Sequence, residues 1–168
     1  MSQTANCISC RKPQGQHHCG LCTEPVCRSC ALFLEQGTFA FLPTVAEDLQ
    51  HSYYCAPCHE LTVVPAIQSY EAMLAQAKDV FFFFDSRKRA IPVMKKSRDI
   101  VEVLECTDRD EVILRLGFMA ATQGFNAIVD ANVRSEKVRD HAYQKMNWRG
   151  RGWPAKVDAA KLDRNLDD

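Results

Sequence analysis

Residues 17–30 read His17-His18-Cys19-Gly20-Leu21-Cys22-Thr23-Glu24-Pro25-Val26-Cys27-Arg28-Ser29-Cys30, two C-x-x-C pairs with four residues between them. Two further pairs, Cys7/Cys10 and Cys55/Cys58, flank this stretch, so eight of the nine cysteines are paired. Disulfides are rare in a reducing cytosol, where such a pattern points to metal binding. A C-x-x-C turn aims two thiolates at one ion, and two turns complete a tetrahedral four-thiolate site. Eight cysteines therefore predict two closed zinc sites. Closed sites have no position for water and read as structural, not catalytic. Four disulfides would need an oxidising compartment, and iron–sulfur ligation uses other spacings. The ninth cysteine, Cys106, lies far off in an apolar context and reads as an inert core residue.

The pairing follows from the intervening lengths of eight (11–18), four (23–26) and twenty-four (31–54) residues. For Cys19/Cys22 and Cys27/Cys30 to share an ion, the chain must double back within four residues. Interleaving relaxes this. The expectation is Cys7, Cys10, Cys27 and Cys30 at one zinc, and Cys19, Cys22, Cys55 and Cys58 at the other. The sequential alternative, first four then last four, stays open.

The stretch His17-His18-Cys19-Gly20-Leu21-Cys22, followed four residues later by Cys27-Arg28-Ser29-Cys30, resembles the core of a FYVE-type zinc finger. The resemblance covers residues 7–58. It implies the cross-braced pairing and binding of phosphatidylinositol 3-phosphate. The family flanks its histidine pair with basic residues. Here Gly15-Gln16 precede His17, Gly20 follows Cys19, and Pro25 stands two before Cys27. The arginines that would clamp a phosphate are absent. His17 and His18 remain ligand-binding candidates, and orienting the zinc knuckle by a hydrogen bond or by packing would also account for them. His51 and His59 could replace thiolates, but eight cysteines already fill two sites.

Charge argues the same way. The 168-residue chain is formally neutral, yet residues 1–65 hold three basic and five acidic residues, a balance of −2. Eight thiolates (−8) around two divalent ions (+4) take that module to −6. A module so charged suits neither phosphate backbones nor anionic lipid. Residues 66–168 carry +2.

Composition shifts at Val64-Pro65, which predicts a zinc module over 1–64, a second domain over 66–158, and a polar tail over 159–168 that frays or is weakly helical. With 46% apolar and 25% charged residues, both parts suit a globular protein. Ala31 to Gly37 reads as a short helix and Pro43 to Gln50 as a helical turn. Ile67, Tyr70, Met73, Leu74 and Ala77 recur at helical spacing over 66–78. Val80–Phe84, Ala90–Met94 and Ile100–Cys106 read as strands. Thr107 and Asp110 mark a helix start, and Val112, Ile113, Leu116, Met119 and Ala120 form its apolar stripe. Gly124 is its stop. Asn126–Val133 reads as a strand. His141–Trp148 and Trp153–Val157 read as two more about a Gly150-Arg151-Gly152 turn or bulge. The fold class is α+β, with a mainly antiparallel sheet and two helices after the cross-braced module.

Ala120-Ala121-Thr122-Gln123-Gly124-Phe125-Asn126-Ala127-Ile128-Val129-Asp130 resembles the centre of the YbjQ-like family, helix, G-x-[ND]-A-[IV]-[IV], then strand. Trp148–Val157 is similar to its closing strand. The match covers 98–157 and implies an α+β domain, ring oligomers in some members, and heavy-metal binding. No soft-metal constellation accompanies it, because Cys106 and His141 stand alone.

Two basic features remain. Arg87-Lys88-Arg89, Lys95, Lys96 and Arg98 bracket the strand at 90–94. Lys145, Arg149, Arg151 and Lys156 interleave with Trp148 and Trp153. Basic residues among aromatics can bind nucleic acid, and Arg149 and Arg151 are the candidates. A solvated hairpin with packed tryptophans is the plainer reading. No G-x-S-x-G, phosphate loop or H-E-x-x-H occurs, and Asp85, Asp99, Asp108, Asp110 and Asp130 read as turn or cap residues. The N-terminus lacks a basic-then-apolar leader, so a cytosolic protein is expected, and the YbjQ-like resemblance implies a bacterial-type one. The function expected is a non-enzymatic scaffold. Its zinc module would bind a protein partner and its second domain would serve as oligomeriser, with nucleic acid and then phosphoinositide as the alternatives.

Overall fold

The computed structural model describes residues 5–84, 91–140 and 143–164. The chain divides into two compact units, Met1–Glu71 and Ala72–Asp168. The fold is α+β. Among the described residues, no helix is long and apolar enough to cross a membrane.

The first unit is built from short pieces between cysteine knuckles. Strand β1 (His17–His18) pairs antiparallel with β2 (Pro25–Val26), and β3 (Leu32–Phe33) with β4 (Tyr53–Tyr54). A 3-10 turn over Glu47–Leu49 lies where a helical turn is expected. The helix expected over Ala31–Gly37 is instead β3 and a turn. Leu32 and Phe33 find backbone partners across from Tyr54 and Tyr53, and Gly37 reverses the chain with φ at +87°. Such pairing outweighs a weak local preference.

A helical turn, α1 (Ala56–Cys58), a widened turn (His59–Val63) and helix α2 (Val64–Lys78) follow without a break. Helical structure thus crosses the Val64-Pro65 shift, and the division between units falls at Glu71/Ala72. Pro65 has no N–H and its ring would meet the carbonyl of Leu61 in a regular helix. The widened turn, where Val64 N–H reaches back to the His59 carbonyl, lies at that place.

The second unit sets helix α3 on a five-stranded sheet. Its strands are β5 (Phe81–Phe82), β6 (Val93–Lys96), β7 (Val101–Cys106), β8 (Ala127–Asp140) and β9 (Tyr143–Val157). The order is β5-β8-β9-β6, with β7 also on β9. Only β5 with β8 is parallel; the other pairs are antiparallel. Helix α3 (Arg109–Thr122) starts at Asp108, not at Thr107. The Asp108 carboxylate accepts from Glu111 N–H at 2.7 Å, while Thr107 N–H and hydroxyl donate to the Glu111 carboxylate at 2.8 and 2.7 Å. The two residues thus share the cap. Gly124, with φ at +77°, ends the helix. Helix α4 (Ala159–Arg164) occupies most of the expected tail.

The Gly150-Arg151-Gly152 segment is not a turn. It lies inside one continuous strand, β9, and the bulge is opposite, between Val129 and Asn132 of β8, where Asp130 has φ at +52°. The glycines are required by approach: a Cβ on Gly150 would overlap Val112 Cγ1 and lie 3.1 Å from Leu116 Cδ1, and one on Gly152 would overlap Ile128 Cγ2. Val112, Leu116 and Ala120 of α3 are fully buried against this bare strip, with Ile128, Val101 and Cys106. Cys106 is therefore a core residue, and burial raises its thiol pKa. Trp153 packs on the opposite cluster with Ala127, Val129, Ala155 and Val157.

Gly150→Ala should lower stability by about 1–3 kcal/mol, because Val112 is stiff and buried. Both tryptophans lie in this unit, so denaturant unfolding followed by tryptophan fluorescence measures it. An unchanged midpoint would show that α3 can retreat without cost.

Candidate metal centre

All four C-x-x-C segments share one backbone device. The residue after each pair donates its N–H to the carbonyl of the first cysteine: Arg11 to Cys7 (2.9 Å), Thr23 to Cys19 (3.0 Å), Ala31 to Cys27 (2.9 Å) and His59 to Cys55 (2.9 Å). Each closes a tight turn with both thiols on one side. Arg11 and Thr23 sit at φ of 63° and 60° to leave their turns.

The knuckles gather in the interleaved arrangement. Cys7, Cys10, Cys27 and Cys30 form one group, and Cys19, Cys22, Cys55 and Cys58 the other, each with all sulfurs within 4.8 Å of one another. No group follows the sequential pairing. Strands explain the weave: β1 leads into Cys19, and its partner β2 leads into Cys27 on the neighbouring strand. The thiols thus leave the hairpin toward different groups. The β3–β4 pair does the same for Cys30 and Cys55.

The geometry fits a tetrahedral thiolate site. Four sulfurs about 2.3 Å from a central ion lie about 3.8 Å apart. Cys10 and Cys27 sulfurs are 3.8 Å apart, and Cys22 and Cys55 sulfurs 3.7 Å. All nine cysteines are free thiols. Each group has a buried half, Cys7 with Cys27 and Cys19 with Cys55, and a more accessible half, with Cys22 exposed. Each group can hold one metal ion, and the two make a pair of structural sites.

Ionisation is graded within each group. Backbone N–H groups of the Cys10 and Cys27 turns hold the Cys7 thiol down to about 6, with Cys27 N–H lying 3.3 Å from its sulfur. At Cys19, burial opposes ionisation, but the N–H groups of Cys55, Cys22 and Leu21 outweigh it and hold the thiol at about 6. The last thiols resist. The Cys27 sulfur beside it, and then burial, push Cys30 up to about 12, and burial followed by neighbouring sulfurs raises Cys58. Four thiolates this close need a cation among them, and binding one expels protons.

His17 and His18 are not ligands in either group. The His17 ring stacks on Tyr53 at 4.3 Å, and His18 Nδ1 lies 2.9 Å from the Thr23 carbonyl, bracing the Cys19–Cys22 knuckle. His51 covers Gly20, where any Cβ would overlap its ring. His59 stands edge-on to Tyr54.

The basic candidates of the second unit are spread out. Lys96 lies 4.6 Å over the Trp153 ring and 3.0 Å from the Asp130 carboxylate, and Lys95 lies over Phe125. Arg149 pairs with Glu136 at 3.2 Å, and Arg151 shares a sheet face with Asn132, Arg134 and Glu102. Trp148 and Trp153 are packed into the two cores. Asp85, Arg87, Lys88, Arg89 and His141 lie outside the described residues. Sequence reading missed Asn126, whose amide donates to the Val157 carbonyl (3.0 Å) and accepts from Val157 N–H (2.8 Å), holding the end of β9 beside the start of β8. Comparison with protein-family models, curated proteins and solved structures finds no match.

Metal affinity should fall as pH falls, because Cys30 and Cys58 carry protons that must leave on binding. Calorimetry in buffers of different ionisation enthalpy should show proton release at neutral pH. Elemental analysis of Cys19→Ser should find at most one ion per chain where the parent holds two.

Proposed function

We propose that the chain is a zinc-stabilised, non-enzymatic interaction protein of the cytosol. Its first unit is a FYVE-like platform for a protein partner, and its second a YbjQ-like scaffold. Four-thiolate groups with this sulfur spacing suit zinc, and a closed site offers no coordination position for a reacting water.

One observation carries the platform reading. Phe33 on β3 is 60% exposed, yet it is held in place: its ring meets Tyr53 edge-on at 5.2 Å, and Tyr53 in turn stacks on His17. An aromatic side chain projecting from a framework braced by knuckles is the form of an interface anchor. Leu61, 79% exposed, adds apolar surface in the same unit. Affinity capture from source cells should recover a partner with the parent chain and lose it with Phe33→Ser. Both proteins must first be shown to hold two zinc ions. Equal capture by both would sink the reading.

Nucleic acid is the second reading, and guanidinium groups carry it rather than stacking. Arg134 and Arg149 face each other across β8 and β9, with Arg151 beside Asn132 on the same face. Contacts of this kind go to phosphate and weaken with salt. Arg149→Ala with Arg151→Ala should then weaken RNA or DNA gel shifts at low salt; retention unchanged by both substitutions would remove this reading.

A further inference from the structure

The longest stretch between ligand pairs, residues 31–54, carries a feature that metal binding does not need. It leaves along β3, returns along β4, and is closed at its base by Leu34 N–H donating to the Ser52 carbonyl at 3.2 Å. Two tyrosine hydroxyls hold it from below. Tyr70 accepts from Phe41 N–H at 3.2 Å and packs edge-on to Phe39 at 5.3 Å. The Tyr54 hydroxyl accepts from His51 N–H at 3.3 Å and donates to the Asp48 carbonyl at 2.8 Å. The Gln50 amide donates to the Val45 carbonyl at 2.8 Å. A loop tied at this many points holds its shape before anything binds, which lowers the ordering cost of recognition.

The loop so held forms an open groove of about 380 Å³, lined by the apolar side chains of Leu34, Phe39, Leu42, Val45 and Leu49 and by polar residues, Glu35 among them. Its own stretch of chain carries charge of one sign. Between Arg28 and Lys78 the chain has no lysine or arginine, while Glu35, Glu47, Asp48, Glu60 and Glu71 fall in that interval. His51 lines the groove and covers Gly20 of the Cys19–Cys22 knuckle, so four thiolates about a divalent ion would add negative charge beside it. A groove with an apolar floor in a negative field selects a ligand with an apolar anchor and adjacent positive charge. Phosphates and acidic lipids have the wrong sign.

We propose that this groove binds an extended segment of the protein partner, in which lysine or arginine flanks a leucine-, methionine- or phenylalanine-type side chain. The proposal rests on the platform reading and names the chemistry of what the platform takes.

A random displayed peptide library, panned on the full zinc-loaded chain, tests it. Enriched sequences should combine an apolar residue with lysine or arginine. A labelled peptide made from them should bind about tenfold more weakly to Glu35→Lys and should lose affinity with added salt. In the ¹⁵N-labelled protein it should shift the amides of Gly37, Leu42 and Leu49. Glu35 is exposed, so this substitution leaves the fold intact; Leu49→Arg gives a second, stronger block. No enrichment overturns the proposal, as does enrichment of acidic or wholly apolar peptides, or binding indifferent to Glu35→Lys. A concentration-dependent dimer abolished by Leu49→Arg would also overturn it, by giving the groove to a second copy. Partner capture that depends on Phe33 but ignores Glu35→Lys removes the groove and keeps the platform. Peptide binding that stands while capture ignores Phe33 does the reverse.

Discussion

Four sulfurs held within 4.8 Å of one another, twice over, is the constraint on which the first unit depends. Its apolar core is small: beside the cysteines, the buried residues include Val26, Leu34, Phe39, Tyr54 and Val63. A segment of this size rarely buries enough surface to fold alone, and chains so limited rely on metals or cross-links. The same thiols resist ionising together without a cation between them: the neighbouring Cys27 sulfur raises Cys30, and burial, then neighbouring sulfurs, raises Cys58. Backbone turns, hairpin register and histidine packing all serve to bring those sulfurs together.

The second unit answers a different constraint, the close approach of a helix to a sheet. It meets it by removing side chains where α3 lies over β9, at Gly150, and by bulging β8 on the other side of that strand at Asp130. Asn126 then stitches the strand end where a regular ladder would have stopped.

Legibility in the sequence followed locality. The cysteine knuckles are local, and the short return path of residues 23–26 favours the interleaving. Gly150-Arg151-Gly152 was misleading because glycine signals a turn and a close contact alike, and the difference lies in Val112 and Ile128, distant in sequence. The continuation of β8 past Val133 was invisible for another reason. From Ser135 to Asp140 its partner is β9 alone, so the segment needs no apolar alternation, and Arg134-Ser135-Glu136-Lys137 carries no strand signal. Thr107 and Asp108 both suit a cap, and local sequence alone does not decide between them; the structure gives Asp108 the N-cap. The groove between residues 34 and 52 had no sequence signature, since its apolar residues are spaced by neither helix nor strand period.

The loop over residues 34–52 enters and leaves the unit through one pair of neighbouring strands, and supplies no sulfur to either metal group. Its length and exposed content can therefore drift while the ion-binding frame keeps its shape, provided Leu34, Phe39 and His51 hold their places against the rest of the unit. Lengthening a closed loop costs little, since the entropy of closure grows only logarithmically. The framework is thus open to inheritance by chains with other recognition surfaces: the same eight cysteines, with a different stretch between Leu34 and Ser52, would give a new specificity on an old scaffold.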